Sequence, residues 1–376
     1  MNKQRILVPR LLDCSNFNAQ NLNARALLSR FRDQDLDWSV TWYDQPDATV
    51  VNNPRITAIR LWRRRMWLLR LWLFYLQPAA ALFYPGREAV DAEGLRWSRR
   101  LYPKRPLIAT IEGLAGTAER EQQLSAWAGH PVYCQRVSSA VMARVDAILA
   151  SADHIIAISP FLADMGSKLY GDKFSVLPLG IDTHIFYPPV QRANPRMRVV
   201  SAGRLAAHKR PELLFALAER HPSADFIWYG DGALREALQQ QAVQRKLSNL
   251  FFPGALAPEN LAEAFRAADI FVMPSLSEGV PKVTQEAAAC GLPIVVFGFY
   301  HAPSVKNGKT GHVVWSDDEF YTQVAALLAD RSGAAFLGAS GAQLALSWDW
   351  DVLAPQWEAR IKQQVRAVGQ SSTGEG

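Results

Sequence analysis

The chain has 376 residues, 49% hydrophobic and 20% charged, a balance that suits a globular protein and excludes disordered, fibrous and disulfide-dense classes. That length exceeds what one hydrophobic core usually holds, so two domains are expected. The net charge of +6 sits in one half: residues 1–190 hold 23 Lys+Arg against 17 Asp+Glu, the rest is neutral, and residues 55–105 carry 12 basic against 3 acidic groups.

The opening MNKQRILVPRLL is charged at once and lacks an apolar run with a small-residue cleavage site, so no signal peptide is expected and the setting reads as cytoplasmic. Residues 5–11 (RILVPRL) predict a buried strand, 19–31 a helix and 38–43 (WSVTWY) a strand with alternating faces. The loop after the first strand, DCSNFNAQN, contains Asn18 and no glycine. Residues 59–76 (IRLWRRRMWLLRLWLFYL) predict a helix with Arg60, Arg63 and Arg64 on one face and Leu61, Leu68, Leu69, Trp72 and Phe74 as apolar surface. Arg70 and Gln77 interrupt that run, so it does not reach the roughly 20 apolar residues a membrane span needs. Arg, Trp and Leu together fit an interfacial helix, with guanidinium on lipid phosphate and an indole such as Trp67 at the headgroups; a core helix with a solvated arginine face is the other reading. No recognised nucleic-acid module is present, which argues against a nucleic-acid partner. Strands follow at 80–84 and 106–111, separated by a basic helix at 92–101. The second ends in Glu112, a carboxylate placed to accept a proton, bind a hydroxyl or pair with a nearby arginine. A strand at 153–158, a helix at 160–170 and a strand at 174–177 lead to LPLGIDTHIFYP, where Gly180 permits a tight backbone and Asp182 bonds its own downstream amides. Pro188, Pro189 and Pro195 mark a linker.

The second half alternates again: strand 198–202, Gly203 and Arg204, His208 and Lys209, helix 211–219, strand 226–229, helix 233–246, strand 249–253 ending at Gly254, and helix 259–268. Its centre is SLSEGVPKVTQEAAACG, residues 275–291, between the buried strands DIFVM and LPIVVF. Pro281 suits the first helical position and Gly291 the left-handed position beyond the helix end. Free N–H groups of the first turn then point toward the loop carrying Glu278, a ready anion site. Glu278 and Glu286 cannot hold phosphate; they accept hydrogen bonds from hydroxyls. Amides for phosphate with carboxylates for polyols read as a nucleotide-sugar pocket. A turn at 307–311, a strand at 312–315, a helix at 320–328, a terminal helix within 348–365 and a loose tail from 369 complete the chain. Cys14, Cys134 and Cys290 show no disulfide or metal spacing, and no metal cluster is expected.

The stretch 275–291 resembles the donor-site signature of the retaining nucleotide-sugar glycosyltransferases with the GT-B fold, the group 1 family, through Glu278, Gly279, Pro281, Lys282, Glu286, Ala287 and Gly291. GRLAAHKRPELL, from Gly203, resembles that family's diphosphate clamp, and residues 177–188 its interdomain turn. The likeness covers most of the second half, and the first by strand order. It implies an α/β fold of two Rossmann-like domains with parallel sheets facing a central cleft. Residues 1–190 would form the acceptor side and 191–350 the donor side, with 351–376 returning as a helix to the first domain and ending in the loose tail. It implies transfer of a hexosyl group, with retention, from a nucleoside-diphosphate sugar to a hydroxyl of a glycan or lipid-linked acceptor. The setting would be cell-surface polysaccharide or glycolipid synthesis at the inner face of the membrane, with no cofactor and no required metal. Arg204 and Lys209 would grip the diphosphate together with Gly203 and the backbone of Gly279, Val280, Pro281 and Lys282. Glu278 would hold donor-sugar hydroxyls, Glu286 the ribose, and the strand end at Gly254 the nucleobase. Glu112 and Asn18 are the acceptor-side candidates, and Arg60, Arg63, Arg64 and Trp67 the membrane-surface candidates.

Three departures stand out: the glycine-free first loop, Glu112 where relatives often carry a histidine, and Ser304 where they often carry an acid. The first two keep open a non-catalytic nucleotide-sugar sensor; a nucleotide-sugar epimerase or hydrolase of the same fold is the other alternative.

Overall fold

The computed structural model describes residues 3–11, 19–42, 45–60, 72, 76, 78–84, 92–191 and 194–371. Two compact units emerge: Met1–Leu124, Cys134–Gly180 and Trp350–Gly376 form unit 1, and Ser125–Tyr133 with Ile181–Asp349 form unit 2.

Unit 1 is built on a sheet of β1 (Gln4–Leu11), β2 (Leu36–Trp42), β3 (Ile56–Arg60), β4 (Ala81–Tyr84), β5 (Leu107–Ile111), β8 (His154–Ala157) and β9 (Phe174–Val176), in the order β3-β2-β1-β4-β5-β8-β9. All its pairings are parallel. Two short strands, β6 (Ala115–Gly116) and β7 (Gln135–Arg136), pair separately. β4 and β5 are buried throughout, the pattern of strands covered on both faces. The chain runs outward from β1 to β3 and returns on the other side of β1 at β4, which creates a topological switch point between β1 and β4. Aromatic packing fills the core there: the Phe31 and Trp38 ring centroids lie 4.4 Å apart, and those of Trp38 and Phe83 5.9 Å.

The helix Trp350–Ser371 belongs to unit 1 and is fastened by polar contacts. The amides of Arg32 and Asp33 both donate to Glu358 Oε2 at 2.9 Å, and Lys362 Nζ donates to Asp33 and Asp35 at 2.7 Å. Trp357 Nε1 donates to the Pro178 carbonyl at 2.9 Å. Gly180 is glycine for a steric reason rather than for a tight turn: a Cβ there would lie 2.4 Å from the buried Trp350 ring, and Gly180 is not among the left-handed glycines. Asp182 does bond downstream, accepting from the His184 amide at 3.0 Å.

Unit 2 carries β10 (Arg198–Ala202), β11 (Asp225–Tyr229), β12 (Leu250–Gly254), β13 (Ile270–Met273), β14 (Ile294–Phe297) and β15 (Gly311–Val314), in the order β12-β11-β10-β13-β14-β15 and all parallel. Its switch point lies between β10 and β13.

Several expectations are corrected. Ile59 and Arg60 do not open a helix; they end β3, where β-branched Ile56, Thr57 and Ile59 favour the pleat. Arg60 is exposed, its guanidinium 5.1 Å from the Trp42 ring centroid. Arg63, Arg64, Trp67 and Asn18 lie outside the described residues. The helix expected from 211 starts at Leu213, after a 3-10 turn over Ala207–Lys209. Helices at Ala118–Ala128, Ser139–Ser151 and Arg331–Ala345 were not foreseen. Among the described residues no helix is long and apolar enough to cross a membrane.

Candidate functional site

The site is assembled at the switch point of unit 2, from the loops that follow β10 and β13. Gly203 leaves β10 with φ +140°, and its carbonyl accepts from Trp228 Nε1 at 2.9 Å. Gly230 packs against that carbonyl so closely that a Cβ would stand 1.9 Å from it, so only glycine lets the two loop backbones meet. The 3-10 turn then delivers Lys209, and the next residue, Arg210, takes the left-handed conformation at φ +53°. A non-glycine residue pays a cost for that backbone. Here an ion pair from Arg210 to Asp317, with the guanidinium 5.1 Å from the Phe297 ring centroid, holds it.

The result is a cation laid over glycine: Lys209 Nζ lies 3.7 Å from the place a Gly203 Cβ would occupy. That ammonium donates to Glu278 Oε1 at 2.5 Å, with the two side chains 14% and 12% exposed. Gly203, Lys209 and Glu278 are thus brought together. Arg204 is exposed and makes no hydrogen bond or ion pair among the described residues, so the structure does not show it converging with Lys209.

Beyond Glu278 the chain enters the helix Lys282–Ala289. Pro281 is its cap rather than its first residue, with φ −76° and ψ 85°, and no side chain caps the amides. Ser304, one of the departures from the family pattern, fixes this start: its hydroxyl donates to Thr284 Oγ1 at 2.6 Å, and Thr284 donates to the Pro281 carbonyl at 2.7 Å. Gly291 closes the helix in the left-handed conformation at φ +73°, as expected, and Leu292 returns its amide to the Ala287 carbonyl at 3.1 Å. The unforeseen helix Arg331–Ala345 packs on this end through Gly338, where a Cβ would meet the Gly291 carbonyl at 2.1 Å.

Glu286 is half-buried one turn into the helix; burial pushes its carboxyl up, with Lys282 opposing. Tyr300, missed in the sequence, is buried and donates to the Met273 carbonyl at 3.0 Å. Its phenol is pushed well up, first by burial and then by the charge of Glu278. At Gly254 (φ +109°) an unforeseen cation appears: the Arg235 guanidinium lies 3.1 Å from a Cβ position and donates to the Pro253 carbonyl at 2.9 Å. Tyr133, also missed, donates its amide to Ser277 Oγ at 2.9 Å and stacks on His208 with centroids 3.7 Å apart. In unit 1, Glu112 accepts from Asn23 Nδ2 at 2.8 Å, and Asn23 is buried.

The family model for glycosyl transferases group 1 matches residues 196–330, a range that includes Gly203, Lys209, Glu278 and Glu286. The GDP-mannose-dependent alpha-(1-6)-phosphatidylinositol monomannoside mannosyltransferase of Mycobacterium tuberculosis is 30% identical over 277 residues, 66% of this chain and 70% of that protein. The chain belongs to the group 1 glycosyltransferases. This glycosyltransferase is also 29% identical over 187 residues, 46% of its own length, to the sulfoquinovosyl transferase SQD2 of Arabidopsis thaliana, of which it spans 36%. Among solved structures, sucrose-phosphate synthase from Thermosynechococcus elongatus superposes with a TM-score of 0.72 at 20% identity, over 97% of this glycosyltransferase and 100% of that chain. HepE of Anabaena, in complex with UDP, gives 0.71 at 16%, over 96% and 100%. These likenesses show the fold of this glycosyltransferase, GT-B.

Proposed function

We propose that this group 1 glycosyltransferase moves a sugar from a nucleoside-diphosphate sugar to a hydroxyl of a lipid-linked or glycan acceptor, with retention at the anomeric carbon. The observation that carries the reading is Lys209, whose ammonium lies over Gly203 and against Glu278 at the mouth of an uncapped helix. In the reaction the bond from the anomeric carbon to the diphosphate oxygen breaks and a bond to the acceptor oxygen forms on the same face. The hard part is charge on the departing diphosphate. Lys209, Arg204 and the amides around Gly279 and Val280 meet that charge as it develops, so no metal is required. On donor binding Lys209 exchanges its carboxylate partner for the diphosphate, which frees Glu278 to accept from sugar hydroxyls. Glu286 serves the ribose, the strand end at Gly254 with Arg235 serves the base, and the departing phosphate takes the acceptor proton. A lipid-linked acceptor is supported by the names of relatives, among them the mycobacterial mannosyltransferase and the alpha-galactosylglucosyldiacylglycerol synthase of Streptococcus pneumoniae, 28% identical over 162 residues.

A thermal-shift screen against UDP-, GDP- and ADP-sugars tests the reading, because a ligand that binds only the folded state raises its melting temperature. One nucleotide class is expected to stabilise the protein. Lys209→Ala is expected to lose that shift and to lower turnover by about 10² to 10³-fold. No shift with any nucleotide sugar would overturn the assignment.

A further inference from the structure

The loops carrying Lys209 and Glu278 leave different strands, and a backbone hydrogen bond ties them, from the Leu276 amide to the His208 carbonyl at 2.9 Å. A second brace comes from elsewhere in the chain. Ser125–Tyr133 belongs to unit 2 although the residues on either side of it, Leu124 and Cys134, belong to unit 1. The segment is folded on itself by Ser125 Oγ, which accepts from the Val132 amide at 2.9 Å. It ends in Tyr133, which touches both loops at the residue next to each functional group. Its ring stacks on His208, the neighbour of Lys209, at 3.7 Å and 11° between planes. Its amide donates at 2.9 Å to Ser277, the buried neighbour of Glu278.

We propose that Tyr133 is a positioning residue of the donor site, setting the separation of Lys209 and Glu278 by bracing His208 and Ser277 together. The inference rests on the donor-site reading above. The ring fixes the 3-10 turn from the side, where a stacked aromatic pair restricts rotation about the His208 side chain. The amide-to-hydroxyl bond fixes the approach to Glu278, and it survives any substitution at 133 except proline. Removing the ring therefore loosens one loop against the other while leaving every group that touches the donor in place.

The test is isothermal titration of UDP, of GDP and of ADP into the full chain, with folding checked by circular dichroism. Tyr133→Leu is expected to weaken binding of the preferred nucleotide roughly tenfold, and Tyr133→Phe to restore it, because the stack needs a ring and not a hydroxyl. His208→Leu removes the same stack from the other side. It is expected to weaken binding equally, and the double variant is expected to lose no more than either single one. A dissociation constant within twofold of wild type in both Tyr133→Leu and His208→Leu overturns the role of Tyr133 while leaving the donor site standing. A wild-type chain that binds none of UDP, GDP and ADP overturns the donor-site reading, and this inference with it.

Discussion

Lys209 and Glu278 stand 69 positions apart in the chain and 2.5 Å apart in space. Each was legible in the sequence on its own, Lys209 by following a strand and glycine and Glu278 by preceding a proline-started helix. Their mutual contact was not, because pairing across two loops leaves no local pattern. Tyr133, Arg235 and Tyr300 were invisible for the same reason: each reaches the site through a backbone carbonyl, an amide or a ring face. Glu286 yields a prediction at this scale. Its carboxyl is raised by burial, so the folded protein binds more protons than the unfolded chain over the window above the ordinary carboxylate value, and stability falls as pH rises through that window. Glu286→Gln is therefore expected to match wild type in stability near pH 4 and to become the more stable protein toward pH 7. Urea denaturation at both values checks this, and a constant difference would contradict it.

Most elements were readable because parallel strands buried on both faces are short apolar runs, and helices between them carry periodic apolar positions. The failures have particular causes. Residues 59–76 look helical from their arginine spacing, and Trp72 and Leu76 are helical, yet the β-branched residues before the run draw Ile59 and Arg60 into β3. The helix Arg331–Ala345 (RSGAAFLGASGAQLA) is rich in small residues and lacks a strong apolar stripe; Gly338 is there for close approach to Gly291, a tertiary requirement. Gly180 is a further case, its reason being the Trp350 ring at the start of the terminal helix. Gly180→Ala is expected to force that ring from its place and to destabilise the protein by about 1–3 kcal/mol. Thermal denaturation measures it, and an unchanged midpoint would contradict the packing described.

At the scale of the whole chain, the alternation of strands and helices announced two parallel α/β sheets, and the strand orders bear that out. What the sequence did not announce is that residues 125–133, which continue the helix Ala118–Ala128, group with unit 2 while Leu124 and Cys134 group with unit 1, because the stretch has neither linker composition nor a change of pattern. The uneven charge, 12 basic against 3 acidic residues over 55–105, makes the interfacial reading of this part of the chain testable: we propose that it meets an anionic membrane surface. Wild-type protein is expected to sediment with phosphatidylglycerol-containing vesicles. Changing Arg60, Arg63 and Arg64 together to Glu is expected to leave most of it in the supernatant, since each basic residue near such a surface contributes about 1 kcal/mol. Equal sedimentation of the two proteins would contradict the proposal.

A crystal structure of the chain with the nucleoside diphosphate it prefers would show whether Lys209 grips the diphosphate. A diphosphate oxygen is expected within hydrogen-bond distance of Lys209 Nζ, with the Lys209–Glu278 pair opened and the ribose beside Glu286. A diphosphate bound elsewhere, with Lys209 still on Glu278, would contradict it.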